Sequence, residues 1–428
     1  MKFVSTRGGA PATELEAALA AGLAPDGGLY VPESIPRIDL HTPAQSLPRM
    51  AERVLAPYVA RSPLADVLPS LCEAAYSFDA PLRALRNEGD YVLELFHGPT
   101  AAFKDYAARF LAAALGALRT HDAPTLTIVV ATSGDTGAAV ASAFHQREGF
   151  RVEILYPDGM VSPRQAHGLG CWGGNVRAWR VDGSFDDCQR MAKQLLGDAA
   201  LRQQVPLTSA NSISLGRLLP QAAYYAQAAA SHYDKHGREL GFIIPTGNLG
   251  NACACLLARR MGAPIHALHL ATNANDALTR YLDGNDYLPH ATVATLANAM
   301  DVGAPSNFER LRYWFNDDAA LRQTIHATRV DDATIRDTIA HSPQRHELVP
   351  CPHTATALQA LERLRGNGDR RDWAVVATAH PAKFEATVEP LVGHAIDVPD
   401  ALAACLARPA TAERLPANAA ALREILLA

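Results

Sequence analysis

The 428-residue sequence has no basic excess, no membrane-length apolar run and no cysteines at metal-ligand spacing. Each absence excludes a class of function. With 39 Lys and Arg against 44 Asp and Glu, the net charge of −5 has the wrong sign for neutralising a nucleic-acid backbone. No apolar stretch approaches the roughly 18 residues of a membrane span. Arg7, Glu14 and Glu16 interrupt the N-terminus where a signal-peptide core would lie. A soluble, cytoplasmic protein without nucleic-acid or membrane partners is therefore expected. The seven cysteines, Cys72, Cys171, Cys188, Cys253, Cys255, Cys351 and Cys405, are odd in number and scattered, so reduced and mostly buried thiols are expected. Cys253 and Cys255 stand two apart on a predicted helix, point in different directions and cannot form one ligand pair. His346-Glu347 lacks the second histidine of a zinc-protease helix, and His266 and His269 fall on opposite faces of a predicted strand. No metal site is expected.

What is present is a hydrophobic fraction of 48%, ample for burial, in a chain long enough for two or three compact units. Residues 1–90 read as a helical and loop-rich N-terminal domain, with turns at Pro25-Asp26-Gly27-Gly28 and Pro32 and helical patterns around 47–60 and 63–75. From Tyr91 onward, short β-branched runs alternate with amphipathic helices. Strands are predicted at Tyr91–Leu95, Leu126–Ala131, Val152–Tyr156, Val176–Val181, Phe242–Pro245, Ile265–Ala271 and Trp373–Ala377. That alternation predicts an α/β fold of parallel sheets covered by helices, with ligands at the carboxyl ends of strands.

The chemistry-bearing residues follow those strands. In Leu95-Phe96-His97-Gly98-Pro99-Thr100-Ala101-Ala102-Phe103-Lys104-Asp105, a strand breaks at Gly-Pro and a helix restarts with Lys104 in its first turn. A helix N-terminus carries roughly half a positive charge, which disfavours an ammonium. A lysine so placed, if also desolvated, reaches the neutral amine that imine chemistry requires. The alternative is a solvated surface charge.

Three further strand ends lead into small, polar loops. Leu126–Ala131 runs into Thr132-Ser133-Gly134-Asp135-Thr136-Gly137 and a helix predicted over Ala138–Phe144, an arrangement that suits an anion or a simple helix cap. Phe242–Pro245 runs into Thr246-Gly247-Asn248-Leu249-Gly250-Asn251 and a helix predicted over Ala252–Met261. Two glycines permit close backbone approach to a phosphate; no Walker A lysine or dinucleotide Gly-x-Gly-x-x-Gly is present, which favours a single-phosphate cup over an ordinary turn. Trp373–Ala377 ends in Thr378-Ala379-His380-Pro381-Ala382-Lys383-Phe384, where the Thr378 hydroxyl can meet a heterocycle or cap a helix. Arg217, in Asn211-Ser212-Ile213-Ser214-Leu215-Gly216-Arg217 before a helix carrying Leu218 to Ala230, can grip a second anion or sit at the surface.

An imine-forming lysine, a phosphate cup and a strand-end hydroxyl together describe a pyridoxal 5'-phosphate site. The runs His97–Asp105, Thr132–Ala139, Asn298-Ala299-Met300-Asp301-Val302 and Thr378–Phe384, with Ser5-Thr6-Arg7-Gly8 and Gly22–Tyr30 at the start, resemble the threonine synthase family of the bacterial and fungal type. The resemblance spans nearly the whole chain. It implies a tryptophan synthase β-like fold (fold type II): two parallel-sheet α/β units around the cofactor within 91–428, the smaller at roughly 105–210, beside the N-terminal domain. It further implies that Lys104 holds pyridoxal phosphate as an imine, that Gly247, Asn248, Leu249, Gly250 and Asn251 hold its phosphate, and that Thr378 meets the pyridine nitrogen. Ser133, Gly134, Asp135 and Thr136 would line the cofactor hydroxyl and the substrate carboxylate, and Asn211 with Arg217 would take the substrate phosphate. Two positions depart from the family pattern: Ser214 where asparagine is common, and Leu249 where phenylalanine is common. The implied reaction converts O-phospho-L-homoserine and water into L-threonine and phosphate, in a monomer or homodimer. A serine/threonine dehydratase-like lyase would share the lysine and the cup without a second anion site. A non-catalytic protein binding the cofactor or a phosphorylated ligand is the other alternative.

Overall fold

The computed structural model describes residues 1–315 and 317–427. Its predicted β-branched runs form two separate sheets. The larger has six strands in the order Ile325–Arg329, Leu268–Thr272, Gly241–Pro245, Trp373–Ala377, Asp90–Glu94 and Leu82–Ala84, and only Leu82–Ala84 pairs antiparallel. The smaller orders Glu413–Pro416, Val176–Asp182, Phe150–Pro157, Leu126–Ala131 and Leu207–Thr208, all parallel. Gly241–Pro245, Leu268–Thr272 and Trp373–Ala377 are buried at every residue, as continuous apolar runs must be when helices cover both faces.

Several predicted boundaries move for local reasons. The strand expected from Ile265 begins at Leu268, because a tight turn from Ile265 N–H to the Ala263 carbonyl holds the chain out of the ladder. The helix expected over 63–75 starts at Leu68, after turns at Ser62 and Ala65. The helix expected to carry Leu218 to Ala230 is broken into Leu215–Leu218, a 3-10 turn at Leu219–Gln221 and Ala222–His236, since Pro220 lacks the N–H an unbroken helix would use. The short edge strands Phe3–Ser5, Tyr30–Pro32, Leu82–Ala84, Leu207–Thr208, Ile325–Arg329 and Glu413–Pro416 were not predicted; most are too short to display a period.

Both chain ends cross the expected partition. Leu82–Ala84 and Asp90 belong to the larger sheet rather than to the unit read over 1–90. Glu413–Pro416 and the helix Ala419–Leu427 join the smaller sheet, far in sequence from 105–210. Burial explains the return, because Leu415, Leu422 and Leu426 close an apolar cluster with Trp179, Met191 and Leu195. At the other end, Phe3–Ser5 pairs with Tyr30–Pro32, and the fully buried Arg310 donates to the Tyr30 carbonyl at 2.9 and 3.1 Å and to the Ile213 carbonyl at 2.7 Å. The N-terminal segment is thereby tied to the loop that carries Arg217. Among the described residues, no helix is long and apolar enough to cross a membrane, and all seven cysteines are free and buried.

Leu422→Ala is expected to destabilise the smaller sheet unit by about 2–5 kcal/mol, the usual cost of a cavity at a fully buried leucine. Leu427→Ala, at a 40% exposed position, is expected to change little. Thermal and urea unfolding of the two variants compares them, and equal midpoints would show that the C-terminal segment does not hold the smaller sheet.

Candidate active site

Carboxyl ends of strands from both sheets open onto one cleft with about 840 Å³ of space, counting its mouth. Lys104, Thr132, Ser133, Asp135, Thr136, Asn211, Arg217, the stretch 246–251 and Thr378 all line it. This is the ligand position expected of parallel α/β sheets. Gly134 is the one candidate residue that faces elsewhere. Its φ of 131° and the Gln165 amide, 2.6 Å from where a Cβ would stand, place it behind the loop.

Lys104 opens the helix Lys104–Leu118, and the preceding Phe103 N–H donates to the Thr378 carbonyl at 2.9 Å. Its Nζ lies 3.9 Å from Asp135 Oδ2. Burial lowers the amine's pKa to about 8, with Asp135 opposing and Lys383 and Arg217 reinforcing the shift. Asp135 is itself buried, which alone would raise its pKa, yet Lys383 and then Lys104 hold it well below the carboxylate range. Lys383 lies in the strand-end turn Pro381–Phe384. Its Nζ sits 2.6 Å from Asp135 Oδ1 and donates to the Thr100 carbonyl at 2.8 Å, so it is committed to the protein. Lys104 is the amine the cleft presents.

The cup is tighter than its sequence suggests at one glycine and looser at the other. The helix starts at Gly250, two residues before the expected Ala252, with Leu249 as its cap in the left-handed region at φ 63°. Leu249 is buried in the main core, so its side chain packs away while its backbone turns the cup. A Cβ at Gly247 would stand 2.6 Å from the Met300 carbonyl oxygen; at Gly250 it would meet Ser212 Cβ at an ordinary 3.4 Å. Asn248 donates to Ser212 Oγ at 2.6 Å, and its carbonyl accepts from Asn307 at 2.8 Å. Asn251 Oδ1 accepts from the hydroxyls of Tyr224 and Tyr225 at 2.9 and 2.7 Å, which leaves its buried Nδ2 without a partner.

Arg217 is 2% exposed, and one of its terminal nitrogens donates to the Ala210 carbonyl. Its buried Nε has no partner. Burial pulls its pKa down to about 10 and Asp105 pulls it back, so the guanidinium stays charged. Asn211 donates to the Ala131 carbonyl at 2.8 Å. His353 lines the same cleft and escaped the sequence reading, whose only signal there was a helix start at Cys351-Pro352. Its Nε2 accepts from Ala299 N–H at 3.0 Å, and burial lowers its pKa to about 4, so it is neutral.

These features fit pyridoxal phosphate. Two buried donors, Asn251 Nδ2 and Arg217 Nε, lack protein partners, the cleft presents a lysine amine, and a helix N-terminus faces the cup. Gly247→Ala is expected to weaken cofactor retention at least tenfold, because its new Cβ must displace the Met300 backbone; Gly250→Ala should retain cofactor nearly as well as the parent. Equilibrium dialysis of pyridoxal phosphate checks both, and equal retention in the two variants would count against this cup.

Comparison with known proteins gives the family and the fold. The model of the Pyridoxal-phosphate dependent enzyme family covers residues 81–381, flanked by the Threonine synthase N terminus over 2–76 and the Threonine synthase C-terminal family over 354–426. Threonine synthase of Serratia marcescens is 38% identical over 415 residues, covering 96% of this chain and 95% of its own, and that of Escherichia coli is 37% identical over 417 residues, covering 96% and 95%. The crystal structure of the Escherichia coli enzyme superposes with a TM-score of 0.91 at 35% identity, covering 100% of this chain and 99% of its own. A pyridoxal phosphate-bound threonine synthase from Brucella melitensis superposes with a TM-score of 0.90 at 34% identity, covering 100% and 99%. With fold, cleft and full-length likeness in agreement, the chain belongs to the threonine synthase family of pyridoxal-phosphate-dependent enzymes.

Proposed function

We propose that this chain converts O-phospho-L-homoserine and water into L-threonine and phosphate in the cytoplasm. The observation that carries the reading is the buried, unpartnered Nε of Arg217 in a cleft that also contains a phosphate cup. A substrate bearing its own phosphate needs a second anion position besides the cofactor's, and a buried guanidinium supplies it. Free, buried thiols throughout agree with a reducing compartment.

In this reading Lys104 holds the cofactor covalently, Gly247, Asn248, Leu249, Gly250 and Asn251 take its phosphate, Thr378 meets its ring nitrogen, and Asp135 lies on its hydroxyl side. When bound, pyridoxal phosphate supplies an electron sink for charge developing at the substrate carbon beside the amino group. Asn211 and Arg217 grip the substrate phosphate, while Ser133 and Thr136 orient its carboxylate. The Lys104 amine, released when substrate binds, removes a proton from Cα and then one from Cβ. Phosphate leaves Cγ toward Arg217, a proton returns to Cγ, water adds its hydroxyl at Cβ, and a proton returns to Cα. Thr378, a neutral hydroxyl, supports the ring nitrogen without a carboxylate's charge, which restrains transamination.

Wild-type protein is expected to release phosphate from O-phospho-L-homoserine with threonine as the amino-acid product. Borohydride reduction should leave a pyridoxyl adduct on Lys104. Charge-assisted hydrogen bonds contribute about 1.5–3 kcal/mol, so Arg217→Ala should lower kcat/KM by about tenfold to a hundredfold with cofactor retention unchanged. Full efficiency in Arg217→Ala would misplace the second anion site. A wild type that made an oxo acid from threonine and ignored the phosphorylated substrate would instead be a dehydratase.

A further inference from the structure

The Asp135 carboxylate is shared unequally between two lysines. Lys383 Nζ takes Oδ1 at 2.6 Å, while Lys104 Nζ stays 3.9 Å from Oδ2. Gln165 adds a hydrogen bond to Oδ1 at 3.2 Å. We propose that Lys383 is a positioning residue: by occupying the near side of Asp135, it leaves Lys104 a free nucleophilic amine instead of that carboxylate's ion-pair partner. The inference deepens the proposed function and rests on its assignment of Lys104 as the cofactor-bearing lysine.

The surroundings of Lys383 account for its hold. It lies in the 3-10 turn Pro381–Phe384, just past the strand that delivers Thr378, and is 2% exposed. Besides Asp135, it donates to the Thr100 carbonyl, whose residue also binds Asp105 through its N–H at 2.8 Å and its hydroxyl at 2.7 Å. Its own carbonyl accepts from Ser162 Oγ at 3.0 Å, and that of Ala382 accepts from Arg164. The turn is therefore held at its backbone by the start of the helix Pro163–Gly170, while its ammonium is held by Thr100 and Asp135. Such anchoring fixes which lysine is nearer the carboxylate.

Charge makes the difference in distance consequential. The groups facing Lys104 are Asp135, Lys383 and Arg217, with neutral His353 beside them and Asp105 balancing Arg217. A buried carboxylate without Lys383 would draw the other available ammonium to itself, and Coulomb attraction between buried charges is strong enough to hold it there. Lys383 also repels a charge on Lys104 directly. Both effects act in the same direction, toward a neutral Lys104 amine near pH 8.

The test measures the amine itself rather than turnover. Full-length protein freed of cofactor is labelled with trace acetic anhydride over a pH series, and mass spectrometry of the Lys104 peptide reads the pH of half-maximal reactivity. Wild type is expected near pH 8. Lys383→Met should raise the midpoint by about one pH unit or more, a roughly tenfold loss of reactive amine at neutral pH. Asp135→Asn should lower it, and Asp135→Asn combined with Lys383→Met, which removes both charges, should return it toward wild type. A purely structural role for Lys383 would lower stability in Lys383→Met and leave the midpoint in place, which overturns the proposal. If Lys383→Met does not fold, Lys383→Gln is read in the same way: a raised midpoint supports the proposal and an unmoved one overturns it. The borohydride adduct separates the two readings. An adduct on a lysine other than Lys104 would overturn both, whereas an adduct on Lys104 with unmoved midpoints overturns this inference alone.

Discussion

The rest of the site depends on one buried carboxylate having to be paired. Asp135 belongs to the smaller sheet's first loop, while Lys104 and Lys383 arrive from strand ends of the larger sheet. An unpaired charge at that depth would cost several kcal/mol, so the pairing orients the two sheets' carboxyl ends toward each other and closes a cleft between them. Gln165 and Asn298 extend the contact: Gln165 donates to Asp135, and Asn298 donates to Gln165 at 2.8 Å. The same bonds that join the units also set the charge around the Lys104 amine. Stability and chemistry share one set of atoms here.

The proposed anion positions rest on a different principle, leaving donors without protein partners. A buried N–H with no acceptor costs stability, and proteins rarely keep one without a use. Asn251 Nδ2 and Arg217 Nε are both left this way among the residues lining one cleft, while Asn251 Oδ1 and one terminal nitrogen of Arg217 are engaged. Those engaged atoms tie each side chain to the protein. Arg310 supports this cleft from behind by binding Tyr30, Ile213 and Asn307, and Asn307 in turn accepts and donates around the loop carrying Asn248. The N-terminal segment thus contributes to the site through backbone carbonyls, without sending a side chain into it.

Much of this was legible in residue order alone. The alternation of β-branched runs with helices predicted parallel sheets, and parallel sheets put ligands at strand ends, so Lys104, the 132–137 loop, the 246–251 loop and Thr378 could be named before any fold was known. Those are local signals: a strand, a break at glycine or proline, a small polar loop, a helix start. Lys383 stood in the strand-end run Thr378–Phe384, but nothing local to it or to His353 named a partner. One is a lysine in a strand-end turn and the other a histidine after a proline, and each gains its role only from a partner far along the chain, Thr100 at 283 residues for Lys383 and Ala299 at 54 for His353.

Residue order by itself determined the central strands, the covering helices and the run of strand-end loops, because backbone preference and hydrophobic period act within a few residues. Only the tertiary structure decided that Gly134 turns away from the cleft, that Gly247 rather than Gly250 is the crowded glycine, and that Glu413–Leu427 returns to complete the smaller sheet. It also brought Cys171 and Cys405 to a sulfur–sulfur distance of 3.1 Å across 234 residues. Proximity of this kind depends on which apolar faces are left to cover and which buried charges are left to pair. Both are properties of the assembled chain, and neither is written in the neighbourhood of any one residue.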